Sequence, residues 1–216
     1  MSPKTKGIIL KITPTDSKNT YITAYTIDFG KITYIARGLN KNEAKLKTAL
    51  MPFAYSRIIS SPSAGEPVIT RAELLEDFYP KDNSFKQRLA FYFIDLVDRL
   101  TEDRVKDKNI LLLLVSALSL LKKKHRSRFY LLMLAYFPLK LAYHLGYFPK
   151  VKTSSKTNNF VRLVEKKPFS YIKRSSLSET SLRKIFNFAN LHLIYASGIN
   201  PPKTYLSLRS LINKNN

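Results

Sequence analysis

An alternation of polar and apolar residues at positions 28–38 restricts the fold of this chain more than any other pattern. The segment begins with a turn in which Gly30 can take a positive φ angle, and it continues as a strand. Successive strand residues point to opposite faces, so Lys31 and Arg37 share one face while apolar side chains such as Tyr34 occupy the other. Two cations on one face predict a contact with a polyanion; an ordinary solvated strand face is the alternative.

Short runs of strand-like composition fill the region from Lys6 to Phe78. There are five of them, at residues 7–13, 20–27, 31–37, 48–60 and 66–77. Residues 39–47 form a polar, basic connection, and Pro52 predicts an edge position or a bulge. Five short strands suit a small closed barrel such as an OB-fold better than a sandwich, because five strands barely make two sheets.

A helical period replaces the strand alternation after Tyr79. Ser84 and Gln87 have the spacing of a capping box, and an apolar stripe follows them to Leu100. We therefore predict an α+β chain, with a five-stranded OB-fold barrel at 1–79 and a mostly helical domain at 80–216.

Two further helices are predicted in the middle of the chain. The first covers 106–124 and is apolar all round at its centre, which predicts the buried central helix of the domain. The second covers 129–148 and is either amphipathic or buried, with Pro138 expected to bend or interrupt it. A membrane span is considered for this second segment and disfavoured, because Pro138, Lys140 and His144 would be costly in lipid.

The C-terminal third is predicted to hold a small β-hairpin and one more helix. The hairpin pairs residues 160–166 with 169–174. Ser178 caps a helix at 179–196 that ends before Gly198. The tail beyond it has one more apolar cluster, at Tyr205, Leu206, Leu208 and Leu211, and is expected to fray after it.

The net charge of the chain indicates what kind of partner it can bind. The formal net charge is +22, which predicts binding to nucleic acid at low salt. A membrane-surface role and a compositional bias of the source genome are alternatives that charge does not separate. The chain has no cysteine, which excludes disulfides and thiolate metal sites. No signal-peptide pattern is visible, and we expect a cytoplasmic protein.

The candidate DNA-binding residues are cations of the predicted barrel and its first long connection: Lys31, Arg37, Lys41, Lys45, Lys47 and Lys11. Tyr21, Tyr25 and Tyr34 are candidates for base stacking, with the barrel interior as their alternative place. A second basic patch follows the helix at 106–124 and comprises Lys122, Lys123, Lys124, Arg126 and Arg128. Favourable interaction with a helix C-terminus explains this patch equally well.

Signatures of catalysis are absent from the sequence. It contains no Gly-rich phosphate loop, and its few carboxylates are better explained as solvated helix faces. His125, His144 and His192 have no thiol or carboxylate at a telling spacing. We therefore expect a protein that is not an enzyme.

In its order of segments, this chain resembles the bacterial RecO family of recombination mediators. The similarity lies at 7–10 (Gly-Ile-Ile-Leu), 28–31 (Asp-Phe-Gly-Lys), 36–38 (Ala-Arg-Gly), 50–53 (Leu-Met-Pro-Phe), 72–76 (Ala-Glu-Leu-Leu-Glu) and 141–149 (Leu-Ala-Tyr-His-Leu-Gly-Tyr-Phe-Pro). These pieces cover about residues 6–149, and together they are fairly specific.

The resemblance implies an OB-fold followed by a helical domain and a role in DNA repair. Members bind single- and double-stranded DNA and anneal complementary strands. They work with RecR to load RecA onto strands coated by single-stranded-DNA-binding protein (SSB), whose acidic tail binds the helical domain. For this chain we expect the same partners, a nucleoid-associated location and an SSB-tail groove with a cationic rim supplied by Arg126 or Arg128.

The interval 150–175 departs from the family pattern. Many members carry a four-cysteine zinc module there, whereas this chain has no cysteine, so a remnant without zinc is predicted. The alternative function is a basic structural or RNA-associated OB-fold protein, for example one bound to the ribosome.

Overall fold

The computed structural model describes residues 2–15, 19–39, 44–62, 65–150, 155–173 and 175–214. Five strands are present, and their bounds are β1 Lys4–Pro14, β2 Asn19–Thr26, β3 Gly30–Arg37, β4 Ala54–Ser61 and β5 Val68–Asp77. The helices are α1 Ala44–Ala49, α2 Ser84–Leu100, α3 Lys108–Leu121, α4 Ser127–His144, α5 Lys156–Lys166, α6 Phe169–Ile172, α7 Glu179–Ser197 and α8 Lys203–Lys214.

Contacts divide the chain into two units. Residues 1–90 and 101–122 form one, called here the barrel unit, and residues 91–100 and 123–216 form the other, called the helical unit. Helix α2 contributes residues to both. The predicted division between residues 79 and 80 stays a prediction.

The five strands close into a barrel in the order β1-β2-β3-β5-β4, with β4 pairing back onto β1. All pairings are antiparallel except the short parallel contact between Ile35 of β3 and Val68 of β5. This is the five-stranded Greek-key barrel of an OB-fold, so the predicted fold class is confirmed.

The interior of the barrel is filled by alternate residues of each strand. Ile22, Tyr34 and Ile58 are almost fully buried, and Leu50 closes the same core from the turn after α1. In β3 the buried residues alternate with half-buried ones up to the exposed Arg37. The predicted faces of this strand are therefore correct.

The turn between β2 and β3 depends on Gly30. Its φ is +66°, as predicted, and a Cβ at this position would overlap the carbonyl group of Val105. The covering segment, residues 101–107, is also anchored by the Arg104 backbone N–H, which donates to the Lys31 carbonyl oxygen at 2.7 Å. Gly30 thus allows the covering segment to lie directly on the barrel.

The predicted fourth strand, at 48–60, is wrong at its start. Helix α1, Ala44–Ala49, extends from the basic connection into this run, and the strand begins only at Ala54. The residues between them, including Pro52, form a turn in which Phe53 takes a φ of +74°. Local apolar content at Ala49, Leu50 and Met51 resembles a strand, but these residues end a helix and enter a turn.

The predicted capping box of α2 is also wrong. Asn83 caps the helix, because its side-chain oxygen accepts hydrogen bonds from the backbone N–H groups of Phe85 and Lys86 at 2.8 and 3.1 Å. The Gln87 side chain donates instead to the Pro80 carbonyl oxygen at 2.9 Å. An Asn competes with Ser for the N-cap position, and here it lies one residue earlier.

Of the two helices predicted in the middle of the chain, α3 differs from its prediction, whereas α4 is the buried one of its two alternatives. Helix α3 lies in the barrel unit and exposes Leu112, so it is not a buried central helix. Helix α4 contains Pro138 within its length and buries every residue from Tyr130 to Ala142 except Lys140. Nowhere in the described chain is a helix long and apolar enough to cross a membrane.

The predicted hairpin at 160–166 and 169–174 is wrong, since α5 and α6 occupy this region. The Ser155 hydroxyl accepts a hydrogen bond from the Asn158 N–H at 3.2 Å and so caps α5. Phe160, Val161 and Val164 are buried, a spacing that fits a helix face. Helix α6 then starts directly after Pro168.

The last predicted helix is confirmed. Ser178 caps α7 through the Ser181 N–H, and Gly198 ends it with a φ of +69°. Its stripe of buried residues includes Leu182 and Leu193, as predicted. The apolar cluster predicted in the tail lies in α8, where Tyr205 and Leu208 are buried.

The helical unit is organised around aromatic rings. Phe93 stacks on Phe137 with ring centroids 4.3 Å apart, and Tyr92 packs edge-on against Phe186. The Tyr92 hydroxyl donates a hydrogen bond of 2.7 Å to the buried side chain of Asn190. Burial raises the Tyr92 pKa well above its usual value, so this hydroxyl stays protonated.

Gly30→Ala tests the contact between the covering segment and the barrel. We expect it to lower the free energy of unfolding by roughly 2–4 kcal/mol, because the new methyl adds overlap with the Val105 backbone to the strain of a positive φ. Gly38→Ala is the control: its φ is +68° but nothing lies within 4 Å of the added Cβ. Urea unfolding that gives equal losses for the two variants would contradict this account.

Alkaline unfolding tests the buried tyrosines. Burial raises the pKa of Tyr25 and of Tyr136 to about 12, and raises that of Tyr34 further. The unfolded chain releases these protons near pH 10 while the folded chain keeps them, so stability is full below about pH 10 and falls above it.

Urea midpoints measured between about pH 8 and pH 11 should show this fall. In Tyr34→Phe the fall should be shallower, with no loss at neutral pH, because the Tyr34 hydroxyl is buried without a hydrogen-bond partner among the described residues. A Tyr34→Phe variant with the same pH dependence as the original chain would refute the assignment.

Candidate nucleic-acid interface

The outer surface of β1, β2 and β3 is the first candidate interface, called here the three-strand face. Lys11 pairs with Thr23 and Thr23 with Thr33, so these residues form one row across the strands. Arg37 lies further along β3, opposite Asn19, at about 13 Å from Thr33 along the strand. Lys11 and Arg37 are both exposed. The face thus combines separated cations with hydroxyl groups, as a phosphate backbone requires.

Lys31 lies at the other end of β3 and has a carboxylate partner. Its ammonium group is 3.2 Å from Asp103, and only 15% of its side chain is exposed. The covering segment that carries Asp103 therefore occupies this end of the face. Arg37, in contrast, has no carboxylate within ion-pair distance in the part of the chain that the structure describes.

The three candidate stacking residues occupy different environments. Tyr34 points into the barrel, and Tyr25 is completely buried where its hydroxyl donates to the Asp107 carbonyl oxygen at 3.3 Å and accepts from the Asp107 N–H at 3.2 Å. Tyr21 is half-buried on the outer face, in register with Thr13 and Ile35. The interior alternative holds for Tyr34, and Tyr21 alone of the three has a ring accessible for stacking.

The cations of the predicted loop are separated from this face. Lys47 is exposed in the last turn of α1, a helix that packs mainly on β5 and β4. Lys41 and the side chain of Lys45 lie outside the described residues. The structure therefore brings Lys11 and Arg37 together on one face and places Lys47 beside other strands.

The predicted second basic patch is partly engaged in internal contacts. Lys122 pairs with Glu76 at 2.8 Å and lies over the ring of Phe78. The Arg128 guanidinium donates to the carbonyl oxygens of Leu177, at 2.7 Å, and Ser175. Exposed cations remain at Lys123, Lys124 and Arg126.

The helical unit has a groove between α5, α6 and the following loop, which we call the α5–α6 groove. It has a volume of about 870 Å³, with Phe160 and Ile172 at its floor. Lys156 and Lys167 are at its rim, and the Lys167 ammonium lies 5.1 Å from the centre of the exposed Tyr171 ring. An apolar floor with a cationic rim fits an acidic segment that carries apolar side chains.

A set of cations on β1, β4 and β5 was not singled out from the sequence. It comprises Lys4, Lys6, Arg57 and Arg71. The pairing of β1 with β4, which are not consecutive strands, brings Lys4 and Lys6 to the two arginines of β4 and β5. The alternation in the β4 sequence indicates which of its residues face outward, because Tyr55, Arg57 and Ile59 are the partly exposed positions.

Metal binding finds no support in the described ranges, where no group of three His, Asp or Glu side chains could hold an ion. The candidate histidines make other contacts. His192 lies 2.6 Å from the Tyr147 carbonyl oxygen, and His125 stacks on Phe129 with ring centroids 3.8 Å apart.

Comparison with known proteins places both parts of the chain in one family. Residues 1–78 match the family model of the recombination protein O N terminal domain, and residues 84–179 match that of the C terminal domain. Among curated proteins, a DNA repair protein RecO from Halalkalibacterium halodurans is 28% identical over 50% of this chain and 42% of its own length. That of Caldicellulosiruptor bescii is 30% identical over 56% of this chain and 50% of its own length.

The DNA repair protein RecO of Syntrophus aciditrophicus aligns over a longer region, with 29% identity over 68% of this chain and 56% of its own length. The chain therefore spans about half the length of the curated relatives that it matches. The two family models together cover most of the chain, from the barrel into the helical unit. The chain belongs to the recombination protein O (RecO) family.

Proposed function

We propose that this chain acts in DNA repair and recombination as a non-enzymatic mediator. It binds single- and double-stranded DNA, anneals complementary strands and helps to load RecA onto SSB-coated single strands. Family membership and the printed names of the relatives support the repair role. The observation that carries the DNA-binding part is the three-strand face, where Lys11 and Arg37 are exposed on a closed OB-fold barrel.

Annealing on such a face follows from electrostatics. Two complementary strands repel each other through their phosphates, and cations that neutralise some of this charge lower the repulsion. The process consumes no ATP, since pairing itself is favourable once the strands approach. Lys11 and Arg37 contact the backbone, and the hydroxyls of Thr23 and Thr33, 3.3 Å apart, offer further phosphate contacts. The face therefore positions DNA without reading its sequence.

The site proposed for the SSB tail rests on a groove in the helical unit, whereas the proposal of RecR as a partner rests on the family alone. The α5–α6 groove fits the acidic, apolar tail of SSB, with Lys156 and Lys167 as the cationic rim. Of the two rim candidates from the sequence, Arg126 is not among the residues that line this groove. Arg128 donates hydrogen bonds to the Ser175 and Leu177 carbonyl groups in the wall of the groove. RecR is proposed as a further partner from the family alone, as is a nucleoid-associated, cytoplasmic location.

Neutralising the three-strand face should weaken DNA binding. We expect Lys11→Gln with Arg37→Gln to cost roughly 1–3 kcal/mol for a single-stranded oligonucleotide and to reduce the salt slope by about 1–2. Lys31→Gln alone should cost less than Arg37→Gln alone, because Asp103 already neutralises Lys31. Fluorescence anisotropy at several salt concentrations measures both quantities.

The control for these variants is Lys184→Gln with Lys203→Gln, which removes the same charge from exposed positions of α7 and α8. Equal losses of DNA affinity in the control and in the three-strand face variant would show that the effect depends only on net charge. Co-purification of the chain with ribosomes that persists after DNase treatment would favour the RNA-associated alternative.

Charge reversal at the α5–α6 groove should separate partner binding from DNA binding. We expect Lys156→Glu with Lys167→Glu to weaken binding of an SSB-tail peptide by about tenfold or more, because both rim charges then repel the acidic tail. Annealing of bare oligonucleotides should change little, whereas annealing of SSB-coated strands should be lost. A variant that binds the peptide with its original affinity would remove the groove from consideration.

A further inference from the structure

A second cationic face lies on β1, β4 and β5, separate from the three-strand face. Lys4 of β1 is opposite Ile59 of β4, which is opposite Arg71 of β5. In the neighbouring row Lys6 is opposite Arg57, which is opposite Glu73. Four cations and one carboxylate thus occupy six adjacent positions on the outside of the barrel.

The single carboxylate of this face is already engaged. Glu73 forms an ion pair with Arg57. The Nε group of Arg57 is buried and has no hydrogen-bond partner in the described chain. Lys4, Lys6 and Arg71 are exposed, and within the ranges that the structure describes no carboxylate pairs with them. The positive charge of this face therefore exceeds what the chain itself neutralises.

Three of these cations, Lys4, Arg57 and Arg71, line a cavity in the surface. The cavity has a volume of about 770 Å³ and is lined by Lys4, Arg57, Ile59, Arg71, Glu73 and Leu74, among others. Aliphatic side chains form its floor, and three of the cations stand around them. We call it the β4–β5 groove.

The β4–β5 groove and the three-strand face use different parts of β1. Residues 4–8 of β1 pair with β4, and residues 7–14 pair with β2. In a closed barrel the strands to either side of β1 turn away from each other, so the two cationic faces point in different directions. One extended strand of DNA on the first face thus leaves the groove free.

We propose that the β4–β5 groove binds the phosphate backbone of a second nucleic-acid strand. Two of the three cations that line it are arginines, whose planar forks suit phosphate oxygens, and a sugar or base can rest on the aliphatic floor. Lys4 and Lys6 are about 7 Å apart along their strand, which presents positive charge in a line rather than at one point.

A nucleic acid fits this groove better than an acidic polypeptide does. At the centre of the groove β4 is already paired on both sides, with β1 and with β5, so a peptide on this face cannot gain the main-chain hydrogen bonds of strand addition to β4. A phosphodiester chain needs only cations and an apolar surface, and the groove supplies both. The inference deepens the proposed annealing function and rests on it, since the second strand would be the complement.

The test measures the binding of two strands separately from annealing, because it uses strands that cannot pair. The groove variant is Lys4→Gln with Arg71→Gln, and it leaves the Arg57–Glu73 pair in place. It is compared with Lys11→Gln and Arg37→Gln, and with the control Lys184→Gln and Lys203→Gln. Two non-complementary oligonucleotides with different dyes are titrated onto the intact chain, and sedimentation velocity counts each dye per protein; urea unfolding verifies that each variant folds.

The original chain should carry both oligonucleotides at low salt. In the groove variant, affinity for the first strand should stay within about twofold, the second strand should be lost, and the annealing rate of complementary strands should fall by about tenfold. A groove variant that still carries both strands and anneals at the original rate overturns the proposal. So does a variant that keeps both strands but loses binding of poly-glutamate, which would make the groove a protein-binding site.

Failure of the proposed function gives a different result. An original chain that carries two strands but does not anneal complementary ones would reject annealing, while the loss of the second strand in the groove variant would still support the groove.

Discussion

Closure of the barrel is the constraint on which the rest of the barrel unit depends. The pairing of β4 with β1, together with the short parallel contact between Ile35 and Val68, converts the alternation along each strand into an inside and an outside. Tyr34 is directed into the core and Arg37 to the surface by this single fact. Pairing of β4 with both β1 and β5 leaves this strand no free edge, so a ligand on its outer face must be held by side chains.

Scarce carboxylates decide which cations stay available to a ligand. The chain has 37 Lys and Arg residues against 15 Asp and Glu residues, so most cations cannot find an acidic partner within it. Those that do are at defined places: Asp103 pairs with Lys31, Glu73 with Arg57 and Glu76 with Lys122. Among the exposed cations without such a partner in the described chain, Lys11 and Arg37 lie on one face of the barrel and Lys4 and Arg71 on another, while further exposed cations lie on the helical unit. Such a distribution favours an extended polyanion over a small ligand.

Local patterns predict the elements whose signals are unambiguous and fail where two structures share a signal. The strand faces of β3, the Gly30 turn and the Ser178 and Gly198 ends of α7 all follow from a few adjacent residues. Residues 160–174 fail because a short run with mixed polar and apolar residues fits a hairpin as well as a helix, and the Ser155 cap that decides lies before the run. The burial of α4 rather than α3 depends on packing against α7, which composition does not encode.

The candidate site shows the same limit at longer range. Lys31 and Arg37 are equivalent in the sequence, two cations on one face of one strand, yet Asp103, seventy-two positions after Lys31, makes them different. That difference requires Gly30, since only a residue without a Cβ lets the covering segment approach closely enough for Asp103 to reach Lys31. A residue chosen for its backbone thus determines the electrostatics of a neighbouring side chain. The open part of the three-strand face is the part beyond the covering segment, and this is why binding is assigned to Lys11 and Arg37.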